Sequence, residues 1–165
     1  MSRKLPKSVK PDEFKRLIGT LKPKDNLFRV AFLLAYGSGL RVSEVVNLKK
    51  ENVFDRHLEI WGGKGGVDRT VPTPKGWKDF MKKYLPIDRS IRTLERKFKQ
   101  CSLKAGLPDY YSFHSLRHGF ATRLVEAGVP ISHIQVLLGH SNISVTSIYT
   151  KARPEDALKS YEELF

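Results

Sequence analysis

From Leu27 to Tyr36 the chain reads Leu-Phe-Arg-Val-Ala-Phe-Leu-Leu-Ala-Tyr, apolar around nearly the whole helical turn and interrupted only by Arg29. A helix without a wet face must be wrapped on every side, so this segment predicts a buried central helix. The flanking patterns supply the wrapping. Pro11-Asp-Glu-Phe opens an amphipathic helix with Phe14, Leu17 and Ile18 on one side. Gly37-Ser-Gly39 breaks the central helix, and a short helix follows with Val42, Val45, Val46 and Leu48 facing inward. Between Asn52 and Pro72 the period changes to short β runs, Asn52–Phe54, His57–Trp61 and Val67–Val71, joined by Asp55-Arg56 and Gly62-Gly-Lys-Gly-Gly66. Helical spacing returns over 75–84 and 89–105, the latter ended by Gly106. It continues from Ser112 as N-cap to Ala127 with Gly128 as terminator, over 132–138 up to Gly139, and over 143–151. After Pro154, Leu158, Tyr161, Leu164 and Phe165 share a stripe. The expected fold class is α+β, mainly α-helical, with a small three-stranded antiparallel sheet.

The 165 residues amount to one domain, with a basic linker over 1–10, a domain over 11–165 and a tail helix over 154–165. Thirty Lys and Arg against seventeen Asp and Glu give a net charge of +13, which points to a polyanionic partner, above all nucleic acid. The lone Cys101 leaves no intramolecular disulfide and fits a reducing compartment. No run approaches the ~18 apolar residues of a membrane span, and the first residues lack a signal-peptide core, so the expected location is cytoplasmic, without a membrane partner.

Four short stretches carry candidate chemistry. Gly39-Leu-Arg-Val-Ser-Glu44 presents Arg41 beside glycines that let backbone and ligand come close, with Glu44 one turn on to orient it. Gly63-Lys-Gly65 sets Lys64 at a hairpin tip. It lacks the upstream glycine and the following Ser or Thr of a phosphate-binding P-loop. His114-Ser-Leu-Arg117 puts His114 and Arg117 on one helical face, with Leu116, Phe120 and Leu124 marking the buried side. His114 and His118 are four apart, but no third metal ligand accompanies them. Leu138-Gly-His140 is followed nine residues later by Tyr149. Each piece has a plainer explanation: a surface arginine, a turn lysine, a capping histidine, one tyrosine among several. Together they are what attack on a phosphodiester by a tyrosine hydroxyl needs. Guanidinium forks hold non-bridging oxygens, lysine protonates a leaving oxygen, imidazoles move protons and tyrosine holds a covalent intermediate.

In this order and these contexts the motifs resemble the catalytic domain of tyrosine recombinases, the phage integrases and Xer proteins, over residues 6–165. The resemblance implies the catalytic-domain fold of that family, similar also to type IB topoisomerases. It implies that Tyr149 attacks the scissile phosphate, that Arg41 and Arg117 clamp it and that His140 donates a further hydrogen bond. Lys64 would protonate the leaving 5′-oxygen and His114 would assist proton transfer. No cofactor, metal or ATP is expected, and the partners would be double-stranded DNA and sister copies, a homo-tetramer on DNA and a monomer alone. The tail helix would fold back on its own domain or dock on a neighbouring protomer. The family's N-terminal core-binding domain is absent from this sequence, which reads as an excised catalytic domain or a minimal recombinase. Two alternatives are a type IB topoisomerase-like relaxation enzyme and a non-catalytic helix–turn–helix regulator, with residues 119–138 as the motif and Gly128-Val-Pro130 as its turn.

Overall fold

A computed structural model of the chain describes residues 7–62, 67–139 and 154–165. Helix α1 spans Pro11–Gly19, α2 Asn26–Ser38 and α3 Val42–Asn47. Pro11 starts α1 because its fixed φ suits the first turn, and the Glu13 carboxylate accepts the free N–H of Lys10 at 2.9 Å. As the apolar run requires, α2 is wrapped, with Val30, Ala31, Phe32, Leu34, Ala35 and Tyr36 all buried. Phe32 meets Phe98 of α4 (Ile91–Lys104) and Phe113 edge to face, at centroid distances of 5.8 and 5.9 Å. The helix does not break at Gly37. It runs on through Ser38, whose hydroxyl donates to the Pro72 carbonyl at 2.6 Å, and turns left-handed only at Gly39, φ +72°. Gly37 serves close packing instead, because a Cβ there would stand 2.6 Å from Pro74 Cβ.

Strands β1, His57–Trp61, and β2, Val67–Pro72, pair antiparallel with Leu58 opposite Val71 and Ile60 opposite Arg69. The expected third strand is corrected: among the described residues the sheet has two strands. Asn52 and Val53 spend their N–H groups in a 3₁₀ turn over Lys50–Asn52, donating to Lys49 and Lys50, so Val53 keeps only an isolated bridge to Leu58. The segment expected as a helix over 75–84 is tighter as well. Gly76 takes φ +89° and a 3₁₀ helix covers only Asp79–Tyr84.

Helices α5 (His114–Glu126), α6 (Ile131–Leu138) and α7 (Pro154–Leu164) gather a second core of Phe120, Leu124, Ile134, Leu137, Ala157 and Tyr161. Ser112 does not cap α5 with its hydroxyl. The Ser115 hydroxyl accepts the Ser112 N–H at 3.0 Å instead. The tail helix α7 lies against α6 and β2 of its own domain. It buries Ala157 and Tyr161 but leaves Leu164 and Phe165 exposed.

Residues 7–10 lie across α5. The Val9 N–H donates to the Ser115 carbonyl at 3.1 Å, the Ser8 and Thr122 hydroxyls are 2.7 Å apart, and Val9 is buried. Gly119 makes room for this crossing, since a Cβ there would sit 2.5 Å from the Val9 carbonyl oxygen. No described helix is long and apolar enough to cross a membrane.

Candidate active site

Arg41 occupies the N-cap of α3 in extended conformation, so its backbone turns the chain into the helix while its side chain stays half exposed. Glu44, three residues on, accepts the Arg41 N–H at 2.8 Å through Oε2 and Arg41 Nη1 at 3.0 Å through Oε1. This is the orienting role expected of Glu44. The guanidinium is thereby steered without being buried, leaving it free to meet a ligand.

Arg117 is buried, and its donors are committed in an unusual way. Nη1 donates to the Gly39 carbonyl at 2.8 Å and Nη2 to the Leu138 carbonyl at 2.7 Å. Both acceptors lie at helix C-terminal ends, those of α2 and α6, where unpaired carbonyls concentrate negative partial charge. Two helix ends therefore hold one cation. Burial pushes the Arg117 guanidinium down to about 10, Arg41 and Arg69 push the same way and Glu44 opposes them; it remains charged at neutral pH.

His114 is the first residue of α5, and its ring meets that of His118 edge to face at 4.5 Å. Its imidazole is held below the ordinary 6.5 by burial first, then by His118, Arg117 and Arg41. It is mostly neutral at pH 7 and able to accept a proton. His118 is lowered in the same direction, by burial and then by Arg117 and Lys7. Among the described residues no group of three or more His, Cys, Asp or Glu side chains gathers as metal ligands.

The fold thus brings Arg41, His114 and Arg117 into one electrostatic neighbourhood. Lys64, His140 and Tyr149 lie outside the described residues, as does the helix expected over 143–151. One residue went unread in the sequence. Arg69 of β2 is buried, donates Nε–H to the Leu137 carbonyl at 2.8 Å and forks both oxygens of Glu44 at 2.7 and 2.8 Å. Desolvation would raise the Glu44 carboxyl, but the Arg69 fork and Arg41 outweigh it and bring it down to about 2.

A folded value below the ordinary 4.5 means stability that is present above pH 4.5 and lost as pH falls towards 2. Wild type should lose about 3 kcal/mol more over that window than Glu44→Gln does, in urea unfolding at stepped pH. Parallel losses in the two proteins would mean that Glu44 carries none of it.

Residues 7–156 match the phage integrase family. The tyrosine recombinase XerA of Thermococcus kodakarensis is 43% identical over 181 residues, covering 98% of this chain and 64% of that protein. The chain therefore spans less than two thirds of that relative's length. A crystal structure of XerA recombinase shares the fold with TM-score 0.68 at 27% identity, over 98% of this chain and 66% of the other. A lambda integrase tetramer bound to a Holliday junction matches at TM-score 0.63 over 88% of this chain and 50% of that one, its 23% identity speaking for fold alone. With a match over nearly all of its length and this arginine-lined site on the matching fold, the chain belongs to the phage integrase family.

Proposed function

We propose that residues 11–165 are the catalytic domain of a site-specific DNA recombinase, with residues 1–10 leading into it, acting on double-stranded DNA in the cytoplasm. The observation that carries this reading is the cationic centre: buried Arg117 held by two helix ends beside half-exposed Arg41. Such a pair fits a phosphodiester, whose two non-bridging oxygens match two guanidinium groups. In the proposed reaction the Tyr149 oxygen forms a bond to phosphorus as the bond from phosphorus to the 5′-oxygen breaks. His114, mostly neutral, takes up the tyrosine proton, and Lys64 gives a proton to the leaving oxygen. Arg41 and Arg117 stabilise the charge that builds on the non-bridging oxygens, with His140 adding a hydrogen bond. A 3′-phosphotyrosine and a free 5′-hydroxyl result, and attack by a hydroxyl of a partner strand reverses the chemistry to complete recombination. Four copies would act together on paired DNA, as in the tetramer of lambda integrase on its junction.

The test is a nicked suicide duplex whose short leaving fragment, the one bearing the free 5′-hydroxyl, is lost by diffusion. Wild type should accumulate a protein–DNA adduct that survives denaturation, and its absence would sink the reading. Lys64→Ala should slow adduct formation by about 10²–10⁴-fold on ordinary DNA. A 5′-bridging phosphorothiolate, whose thiolate leaves without a proton, should restore most of that loss. No rescue would reassign Lys64 to phosphate binding.

A further inference from the structure

Arg69 is a buried cation on the inner face of β2, where a strand facing a core ordinarily carries an apolar side chain. Each of its three nitrogens has a partner. Two fork the carboxylate of Glu44, and the third, Nε–H, holds the Leu137 carbonyl at the end of α6. Gly139, two residues on, has φ +66°, and a Cβ there would stand 2.7 Å from Arg69 Cδ. The guanidinium and the exit from α6 are therefore fitted to each other. Asp68 also approaches Arg69, at 3.7 Å, but it is half exposed and screened by water.

The charges make this arrangement matter for the phosphate. Glu44 receives four hydrogen bonds, two from the Arg69 fork and two from Arg41. Three guanidinium groups, Arg41, Arg69 and Arg117, against the one carboxylate of Glu44 leave a local charge of +2 (3 − 1). Without Arg69 the sum falls to +1, and the whole carboxylate charge would rest on Arg41. A buried carboxylate that loses its partner binds the nearest cation harder.

We propose that Arg69 is a positioning residue for strand cleavage: it takes up the charge of Glu44, so that Arg41 keeps its own for the scissile phosphate. Its hold on Leu137 also fixes the α6 end from which the chain runs on to His140. The proposal rests on the recombinase reading above and extends it to a residue that need not touch DNA.

The charge argument has a consequence that a packing role lacks. Arg69→Gln should slow adduct formation on the suicide duplex about a hundredfold, and adding Glu44→Gln should recover at least about tenfold of that loss. The second change removes the stranded carboxylate while keeping an amide oxygen for Arg41. If Arg69 only filled space, a second buried substitution would make matters worse. Arg69→Lys keeps the charge but cannot fork both oxygens and reach Leu137 as well, so it should cost only about tenfold. Thermal melts monitor folding. Should Arg69→Gln not fold, the double variant, which removes both charges together, is compared with wild type directly.

A double variant no faster than Arg69→Gln, or more than about a hundredfold below wild type, overturns the proposal. If wild type itself forms no adduct, the recombinase reading fails rather than this one. Inorganic phosphate then serves as the probe, followed by NMR of the Arg41 and Arg117 Nε–H signals. Phosphate binding should weaken about tenfold in Arg69→Gln and recover in the double variant. Unchanged binding in Arg69→Gln overturns the proposal.

Discussion

Arg117→Ala is expected to lower the rate of covalent adduct formation by about three orders of magnitude, the cost of losing a preorganised charge at the reacting phosphate. The loss should not be confined to chemistry. The Gly39 and Leu138 carbonyls would be left facing a cavity, at about 1–3 kcal/mol for each buried acceptor without a donor. Arg117→Lys should restore little, because one ammonium on a flexible stem cannot hold two carbonyls and a phosphate in a fixed fork. Single-turnover cleavage together with urea unfolding separates the two effects. Adduct formation within tenfold of wild type in Arg117→Lys would place Arg117 in the scaffold rather than at the phosphate.

Tyr149→Phe should remove the adduct altogether and leave DNA binding unchanged, since only the attacking oxygen is lost. The structure narrows the competition for that role. Tyr36 and Tyr161 are buried, and burial holds both phenols above their ordinary range. Tyr111 is pushed up to about 12 by burial and by the Glu13 carboxylate, to which its hydroxyl donates at 3.1 Å. A phenol so placed is a poor nucleophile. Of the six tyrosines this leaves Tyr84 and Tyr110 as rivals to Tyr149. Peptide mapping of the adduct to either one, or an adduct that persists in Tyr149→Phe, would refute the assignment.

Much of this was legible in the sequence, for identifiable reasons. The unbroken apolar run of α2 had only one stable solution, and the inward valines of α3 followed from helical spacing. Arg41 and Glu44 were readable as a pair because an i, i+3 contact is local. What failed to show was decided by tertiary contact. Val53 and Phe54 are strand-forming residues, yet the N–H groups of Asn52 and Val53 go to a turn that no pattern announces, and only Phe54 donates across to His57. The helix end within Gly37-Ser-Gly39 was legible, but the packing role of Gly37 was not, because the approach of Pro74 that requires it comes from a distant part of the sequence. Arg69 was hidden by its charge, which reads as surface. The available signal was parity: it is two residues from Val71 on a strand and so shares its inner face. A charged residue in phase with an apolar face marks a partner waiting inside, here Glu44.

The crossing of residues 7–10 ties the start of the described chain to α5. The bond from Val9 to Ser115 is made between His114 and Arg117 in the sequence, and the hydroxyl of Tyr111 just upstream shares its one hydrogen between the Glu13 carboxylate and the Ser8 carbonyl, 3.0 Å away. A shift of residues 7–10 would therefore have to break bonds at the first turn of α5, the turn that carries His114 and Arg117. The absent side chain of Gly119 lets the two backbones touch, so a side chain at that position would push residues 7–10 off the helix.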